Sequence, residues 1–517
     1  MTAVHGARLL LALITALVSC GGETVDGAAG GRSNGTHRGG ATGGSGATEL
    51  DRPATGTGGT NENRDAGQGT GDVPGGLSIP PGLGNGEDFC QGLECQQATC
   101  SAGPCTQSGC AAGASTTLSG TVYDPSGKLP LYNVMVYVPN GKLRPFTSGA
   151  SCESCALTME KPLAAALTDT AGMFQLDNVP VGDDIPVVIQ IGKWRRQIGV
   201  SIEPCVDNKL RNVDQTRLPR NKREGDIPLI AITTGGADSM ECLPRRLGID
   251  DEEFTTGSGE GRIHLYTGTE DREMNATSAF APALNGGAEL MPASALWASP
   301  ESLGKYDVVM LSCEGFLDPK PRASREAMYA YTSRGGRVFA SHWHHSWFSA
   351  GPGRVPDIAT WEDRHNPRVS PSVATINTSF PKGQALSQWL VNVGAATTPG
   401  QMEIDEARDN AQAVNPMLAT EWMTIQNDEY PLRPNAVEYL SFNAPLGAAP
   451  EMQCGRAVYT DLHVSSTGAD VPGAPFPDGC EVRDLSSQEK AVAFMLFDLS
   501  ACLIPDIEPP TPPPIIR

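Results

Sequence analysis

Histidines concentrate beside one predicted strand of this chain, and histidine is the commonest metal ligand in proteins. His342, His344 and His345 stand within four residues, and Asp461 and His463 follow a second predicted strand late in the chain. If both strand ends face one crevice, neutral imidazoles and a carboxylate could bind Zn or another divalent metal and leave a position for water. We therefore predict His342, His344, Asp461 and His463 as candidate metal ligands.

Two other interpretations of the same segment stay open. A turn rich in Trp and His can pack beneath a loop, with its ring nitrogens bonded to backbone carbonyls. Alternatively, Trp343, Trp347 and Trp361, together with Phe348, form a stacking platform for a sugar or a peptide. In that case Glu314 is the polar group expected beside the rings.

The elements that must position these residues alternate between strand and helix from residue 227 onward. Apolar strands at 227–232, 306–311 and 337–340 are followed by glycines or helical runs. This alternation predicts a doubly wound α/β domain over 227–504, with a parallel sheet covered on both faces. Ligands of such sheets bind at the carboxyl ends of the strands, where Glu314 and His342 emerge. We expect 400–450 to be an irregular insertion across the crevice.

The preceding part of the chain has a different pattern. Short alternating strands separated by Gly, Pro and Asn run from Thr116 to Cys205 and predict a β-sandwich over 116–205, followed by a linker at 206–226. The motifs S-G-x-V-x-D-x-x-G, P-L-x-N-V-x-V and T-D-x-x-G-x-F-x-L-x-N-V-P-x-G occur there in that order. They resemble the carboxypeptidase regulatory-like, transthyretin-like domain, and the resemblance implies a spacer or a binding module.

The α/β part also resembles a known family. Y-D-V-V-x-L-S-x-x-G and Y-x-x-x-G-G-R-V-F-A-S-H are similar to the class I glutamine amidotransferase-like fold, particularly its trehalose-utilisation-protein-like branch. The likeness covers 227–347 and, more loosely, 455–461. True amidotransferases have a nucleophilic Cys on the turn where this chain has Ser341, His342 and Trp343. Without a Cys-His-Glu triad, we do not expect glutamine hydrolysis.

The N-terminus resembles a bacterial lipoprotein signal. Arg8 precedes about ten apolar residues, too few to span a membrane, and the run ends at Leu17-Val18-Ser19-Cys20. The resemblance implies removal of 1–19, lipidation of Cys20, and membrane anchoring. Gly21 implies export to an outer membrane or cell surface. An ordinary secretory signal with an incidental Cys20 is the alternative.

Two low-complexity segments follow the signal. Residues 20–86 are rich in Gly, Thr and Ser and predict a disordered tether. Within 87–115, five cysteines recur at five-residue intervals, which favours a disulfide-linked stalk over a metal cluster. The repeat cysteines are Cys90, Cys95, Cys100, Cys105 and Cys110.

Charge and cysteine content agree with export. The 517 residues carry a net charge of -21 and 14 cysteines. The negative charge argues against nucleic acid as a partner. Besides Cys20, thirteen cysteines remain, so at least one thiol is free or pairs between chains. We expect Cys152 and Cys155 to pair with Cys205 or the upstream repeat.

The C-terminal end has three further expected features. Ser486 and Glu489 form a predicted capping box for an amphipathic helix. The late cysteines are expected to form disulfides of unspecified connectivity, and the Pro-rich tail 505–517 is expected to be extended and poorly ordered. These late cysteines are Cys454, Cys480 and Cys502.

The resulting functional hypothesis is a surface-anchored lipoprotein that binds a polysaccharide or another envelope component without turnover. The alternative is a metal-dependent hydrolase that acts on an envelope or extracellular substrate. Apart from a divalent metal, we expect no cofactor.

Overall fold

The structure is a computed structural model, and it describes residues 110–111, 113–152, 162–268, 275–363, 371–426, 435–464 and 470–515. All of these belong to one compact unit, Pro81–Arg517. The predicted signal peptide 1–19, the lipidation site Cys20 and the tether 20–86 lie outside the described residues. So do Cys155 and the repeat cysteines before Cys110.

The first part of the described chain is β-rich. Its strands form two small sheets, in the orders β4-β1-β7 and β3-β2-β5-β6. Alternate residues of β4 are buried, and Phe174 and Leu176 share one core with Val136 and Ile189 of the other sheet. This arrangement confirms a β-rich domain. Its strands are β1 (Thr117–Thr121), β2 (Met135–Val138), β3 (Ala164–Leu167), β4 (Met173–Asp177), β5 (Gly182–Ile191), β6 (Trp194–Ile202) and β7 (Asp207–Lys209).

The segment 206–226, which we predicted to be a linker, packs against this domain instead. Strand β7 pairs in parallel with β1, and a short helix, α1 (Val213–Thr216), follows it. Arg217 is buried and its Nη1 lies 2.6 Å from Glu224 Oε2. This ion pair lies within the segment, because a buried guanidinium needs a carboxylate partner. The buried Arg195 of β6, whose Nη2 lies 2.8 Å from Asp226 Oδ2, ties the end of the segment to the sheet.

The second part is built around one eleven-stranded sheet. Six neighbouring strands, in the order β11-β10-β8-β12-β13-β20, run parallel to one another, with β9 pairing in parallel beside β10. The predicted parallel sheet is therefore present. The parallel strands are β8 (Ile230–Thr234), β9 (Phe254–Thr256), β10 (Ile263–Thr267), β11 (Met291–Pro292), β12 (Val308–Leu311), β13 (Arg337–Ser341) and β20 (Gly455–Thr460).

The sheet continues past β20 with antiparallel strands in the order β19-β18-β15-β16, so it is mixed rather than wholly parallel. The prediction that 400–450 is irregular is wrong. Within that range the chain forms four strands, and β17 pairs with β14 in a separate two-stranded sheet. These strands are β14 (Ala359–Trp361), β15 (Ser372–Ile376), β16 (Gln401–Ile404), β17 (Ala411–Val414), β18 (Thr420–Gln426) and β19 (Asn435–Ala444).

Short helices connect and cover the strands. The last of them begins at the predicted capping box: Ser486 Oγ accepts a bond from Glu489 N, and Glu489 Oε2 accepts one from Ser486 N at 2.7 Å. The helices after α1 are α2 (Cys242–Arg246), α3 (Ala293–Leu296), α4 (Pro300–Leu303), α5 (Arg322–Ser333), α6 (Ser346–Ser349), α7 (Pro381–Asn392) and α8 (Ser487–Ser500).

The parallel strands are buried on both faces, as predicted. Along β12, Val308 and Met310 belong to one core cluster, whereas Val309 and Leu311 belong to another. Successive side chains of a strand point to opposite faces, so the two clusters lie on opposite sides of the sheet. Helix α8 and the β-rich domain share the first cluster, and α5 contributes to the second.

The start of the Pro-rich tail is anchored, contrary to our expectation of a poorly ordered segment. Asp506 is buried, and its Oδ1 lies 2.8 Å from Arg456 Nη1. Lys382 and Asp498 complete a buried group of two cations and two carboxylates. The tail therefore enters the core at this residue.

The described cysteines form disulfides, as expected, but Cys152 has a different partner from the one expected. Cys110 pairs with Cys205, Cys152 with Cys454, and Cys242 with Cys480. The prediction that Cys152 joins Cys205 or the repeat is therefore wrong. Cys502 is disulfide-bonded as expected. The only free thiol among the described residues is the buried Cys313.

Candidate functional site

The predicted site lies at the carboxyl ends of three neighbouring parallel strands. Strand β13 pairs with β12 on one side and with β20 on the other. Cys313 follows β12, His342 follows β13, and His463 follows β20. The strand ends therefore bring residues that are far apart in sequence to one edge of the sheet, as predicted.

Three buried side chains meet there and form what we call the Cys-His-His cluster: Cys313, His342 and His463. Cys313 Sγ lies 3.3 Å from His342 Nδ1, and His342 Nδ1 lies 3.0 Å from His463 Nε2. All three potential ligand atoms lie within 4.8 Å of one another. Thiolate and imidazole are the donors that transition metals such as zinc prefer.

The backbone at His342 is strained. Its φ is 43°, in the left-handed region that side chains other than glycine rarely adopt. The Tyr459 hydroxyl oxygen lies 3.0 Å from the His342 carbonyl oxygen and 2.8 Å from Asp461 Oδ1, so its single proton is shared between these two acceptors. Such strain costs on the order of 1–3 kcal/mol and is concentrated at functional sites.

Burial strongly influences the protonation of the cluster. It lowers the pKa of His342 well below the ordinary value, and the nearby charges of His463 and Arg408 lower it further. Burial and the negative charge of Asp238 raise the pKa of the Cys313 thiol. In the absence of a bound metal ion, His342 is therefore a neutral imidazole and Cys313 a neutral thiol.

The carboxylate of Glu406 contacts His463 at the ring nitrogen that faces away from His342. Glu406 Oε2 lies 3.2 Å from Nδ1 of His463, while Arg408 Nη2 lies 3.5 Å from the same nitrogen. We assign the proton to Nδ1, because the carboxylate is the closer partner and can only accept. His463 then presents the lone pair of Nε2 to His342.

His344 and Asp461 are not part of this cluster, so the predicted set of four metal ligands is not assembled as a set. His344 Nε2 lies 2.7 Å from the Ser312 carbonyl oxygen, and Trp347 Nε1 donates to His344 Nδ1 at 3.1 Å. Burial lowers the pKa of His344 to about 3. Both of its nitrogens are thus used inside the protein, as the packing interpretation expects.

Asp461 likewise has internal partners. Its Oδ1 accepts a bond from the Tyr459 hydroxyl at 2.8 Å, and its Oδ2 accepts one from Ala411 N at 2.9 Å. Burial raises the pKa of Asp461 to about 7. The carboxylate faces these donors rather than the cluster because β17 begins directly beside the end of β20.

Two of the four predicted ligand-binding residues are turned inward. Lys320 Nζ donates to both carboxylate oxygens of Glu314 at 2.8 Å, and burial raises the pKa of Glu314 to about 7. Trp347 is buried, and its ring packs edge-on against Trp297 at 5.2 Å. Neither side chain can contact a large ligand without moving.

The other two predicted ligand-binding residues remain partly exposed. Trp343 and Trp361 flank His345, with ring centroids 5.8 Å and 5.9 Å from the imidazole. We call these three residues the aromatic row. The Trp343 ring also lies 4.6 Å from that of His342, so the row lies beside the Cys-His-His cluster.

Sequence reasoning did not propose Cys313 as a metal ligand, and it missed Glu406 and Arg408. Cys313 could have been found, since it follows a predicted parallel strand just as His342 does. Glu406 and Arg408 had no such signal, because they lie between two strands that we did not predict.

Comparison with known proteins gives no family for this chain. No protein-family model and no curated protein matches it. Among the described residues, no helix has both the length and the apolar character that a bilayer-spanning segment needs.

Several solved structures resemble parts of the chain at low identity. A ThuA-like protein from Bacteroides uniformis is 12% identical, with 52% of this chain and 88% of that chain covered and a TM-score of 0.26. A ThuA-like protein from Parabacteroides merdae is 13% identical over 48% and 84%, also with a TM-score of 0.26. A cohesin–X-dockerin complex from Acetivibrio cellulolyticus is 17% identical over 28% and 79%, with a TM-score of 0.13. With TM-scores this low, these likenesses carry no argument about function.

Proposed function

We propose that this chain is an exported lipoprotein that binds a polysaccharide of the bacterial envelope without turnover. The observation that carries the proposal is the aromatic row, in which Trp343 and Trp361 remain partly exposed at the carboxyl edge of the parallel strands. Sugar-binding sites combine such exposed rings with nearby polar groups. The edge is also where ligands of α/β sheets bind.

Disulfides support the exported location. Three described disulfides join segments that are far apart in sequence, and one of them links the β-rich domain to the loop before β20. Such cross-links persist in oxidising compartments and are rare in the cytosol. The β-rich domain, with its carboxypeptidase regulatory-like sequence motifs, would serve as a spacer between the membrane and the binding edge.

Replacement of Trp343 by Ala tests the binding proposal. We expect retention on an array of bacterial envelope glycans to fall at least about tenfold, a loss of about 1.4 kcal/mol, because the ring supplies stacking area. Trp343→Phe should recover part of the binding. Met417→Ala, at a side chain that is 86% exposed and outside the row, is the matched control. Unchanged retention by the Trp343→Ala variant would contradict the proposal.

The lipid anchor has a separate test. Cys20→Ala is expected to move the protein from the membrane pellet to the soluble extracytoplasmic fraction, because the acylated thiol is lost. Gly21→Ala keeps the cysteine and should stay in the pellet. If the Cys20→Ala protein still sediments with membranes, then Cys20 is not the anchor.

A metal-dependent hydrolase is the second candidate function. The observation that favours it is the meeting of His342 and His463 at the carboxyl edge, where a bound metal could activate water. Such an enzyme would lose its activity on chelation and regain it when the metal is restored. A preparation that hydrolyses envelope polysaccharide equally well after chelation would exclude this candidate.

A further inference from the structure

We propose that Cys313, His342 and His463 bind one transition-metal ion, and that zinc is the ion that suits these donors best. The proposal is independent of polysaccharide binding, because a metal that only stabilises this edge of the sheet would need the same ligands. It also differs from the ligand set predicted from sequence, since Cys313 takes the place of His344 and Asp461.

The distances fit tetrahedral coordination. Zinc–nitrogen bonds of about 2.05 Å and zinc–sulfur bonds of about 2.3 Å separate neighbouring ligand atoms by about 3.3 Å for two nitrogens and about 3.6 Å for nitrogen and sulfur. The observed separations are 3.0 Å between the two imidazole nitrogens and 3.3 Å between Cys313 Sγ and His342 Nδ1. These two separations are within about 0.3 Å of the tetrahedral values. The third, between Cys313 Sγ and His463 Nε2, is no more than 4.8 Å, so a bound ion would draw these two atoms together.

The three side chains also have too few protons to bond fully to one another, and this favours a bound cation. His463 presents a lone pair at Nε2 because its Nδ1 proton is bonded to Glu406. A single proton on His342 Nδ1 can satisfy only one of its two neighbours, Cys313 and His463. A metal ion would satisfy all three donors at once, with the Cys313 proton released to solvent and the His342 proton carried on Nε2.

The sulfur is already surrounded by donors that suit a thiolate. The backbone N–H groups of Trp343 and Gly315 form hydrogen bonds to Cys313. Such N–H to sulfur bonds commonly surround metal-bound thiolates and stabilise their charge.

Glu406 acts as a positioning residue for His463. A carboxylate bonded to the second nitrogen of a metal-binding imidazole fixes its tautomer and its orientation. Glu406 has a φ of 55° and lies 3.8 Å from Arg408, which holds its carboxylate near the ring. The cluster thus has three potential ligands and one outer-shell partner, and a fourth ligand such as water would complete tetrahedral coordination of a bound zinc.

Metal content is the test. The full-length protein is incubated with zinc, dialysed, and analysed by mass spectrometry for metal per chain. We expect about one zinc per chain, a loss of most of it in Cys313→Ser, His342→Ala and His463→Ala, and retention in the controls His344→Gln and Asp461→Asn. Glu406→Gln should weaken zinc binding by about 10–100-fold.

Cobalt substitution keeps the test decisive if a variant folds poorly. Cobalt bound to the wild-type protein should show a thiolate-to-metal charge-transfer band, and zinc should displace it. Less than a tenth of a metal per chain, or a stoichiometric metal without the thiolate band, would overturn the proposal. Neither result depends on glycan retention. A negative result in the metal measurements would therefore leave the proposed polysaccharide binding unaffected, and the glycan array tests that proposal separately.

Discussion

Replacement of Asp506 by Asn is expected to lower the free energy of unfolding by about 3 kcal/mol. Asp506 is buried with Arg456 at 2.8 Å and Lys382 at 3.7 Å. Burial alone would raise the pKa of Asp506, but the attraction of Arg456 and Lys382 lowers it overall. Removing this charge leaves two buried cations with Asp498 as their remaining carboxylate, and uncompensated buried charges are costly.

Urea unfolding measures this loss. Glu508→Gln changes a nearby carboxylate that is exposed to solvent, so it is the matched control and should leave the midpoint unchanged. Because the folded-state pKa is lowered, the contribution of Asp506 is present near neutral pH and is lost as the pH falls through the folded-state pKa. Equal midpoints for the Asp506→Asn and Glu508→Gln proteins at pH 7 would contradict this account of the tail.

Replacement of Glu241 by Gln is expected to stabilise the protein at pH 8 and to change little at pH 5. Burial raises the pKa of Glu241 from 4.5 to about 8, and the negative charges of Asp470 and Asp238 add to the effect. The folded protein therefore keeps a proton that the unfolded chain releases. Its stability falls by about 1.4 kcal/mol per pH unit between these two pKa values.

The Gln variant lacks this titration, so its advantage over the wild-type protein should grow to a few kcal/mol by pH 8. Thermal unfolding at intervals from pH 5 to pH 8 measures the difference. Glu260→Gln, at an exposed glutamate, should follow the wild-type curve. Parallel curves for the Glu241→Gln and wild-type proteins would show that Glu241 is ionised in the fold.

Much of the parallel half of the large sheet could be predicted from the sequence, because its strands are buried on both faces and are continuously apolar. Val308–Leu311 is one such run, and Ser486 with Glu489 signals the start of α8 locally. The antiparallel half was missed. Its strands are less uniformly apolar, as in Gln401–Ile404, where buried and exposed residues alternate.

The candidate site was partly predictable for a related reason. His342 and His463 follow parallel strands, and the carboxyl ends of such strands lie at one edge of the sheet regardless of the conformation of the loops. Which side chains take part in the site, and which are bonded elsewhere, depends on contacts that the sequence does not reveal. Lys320 neutralises Glu314, Trp347 occupies one nitrogen of His344, and Glu406 reaches His463 from a segment that we expected to be irregular.

The most direct test of polysaccharide binding without turnover is a sedimentation experiment. The Cys20→Ala protein, which lacks the lipid anchor, is mixed with detergent-extracted bacterial envelopes. The protein in the pellet and the soluble saccharide released are then followed over time. Our account predicts that the protein sediments with the envelopes and releases no saccharide. Protein that stays in the supernatant, or a steady release of soluble saccharide, would contradict it.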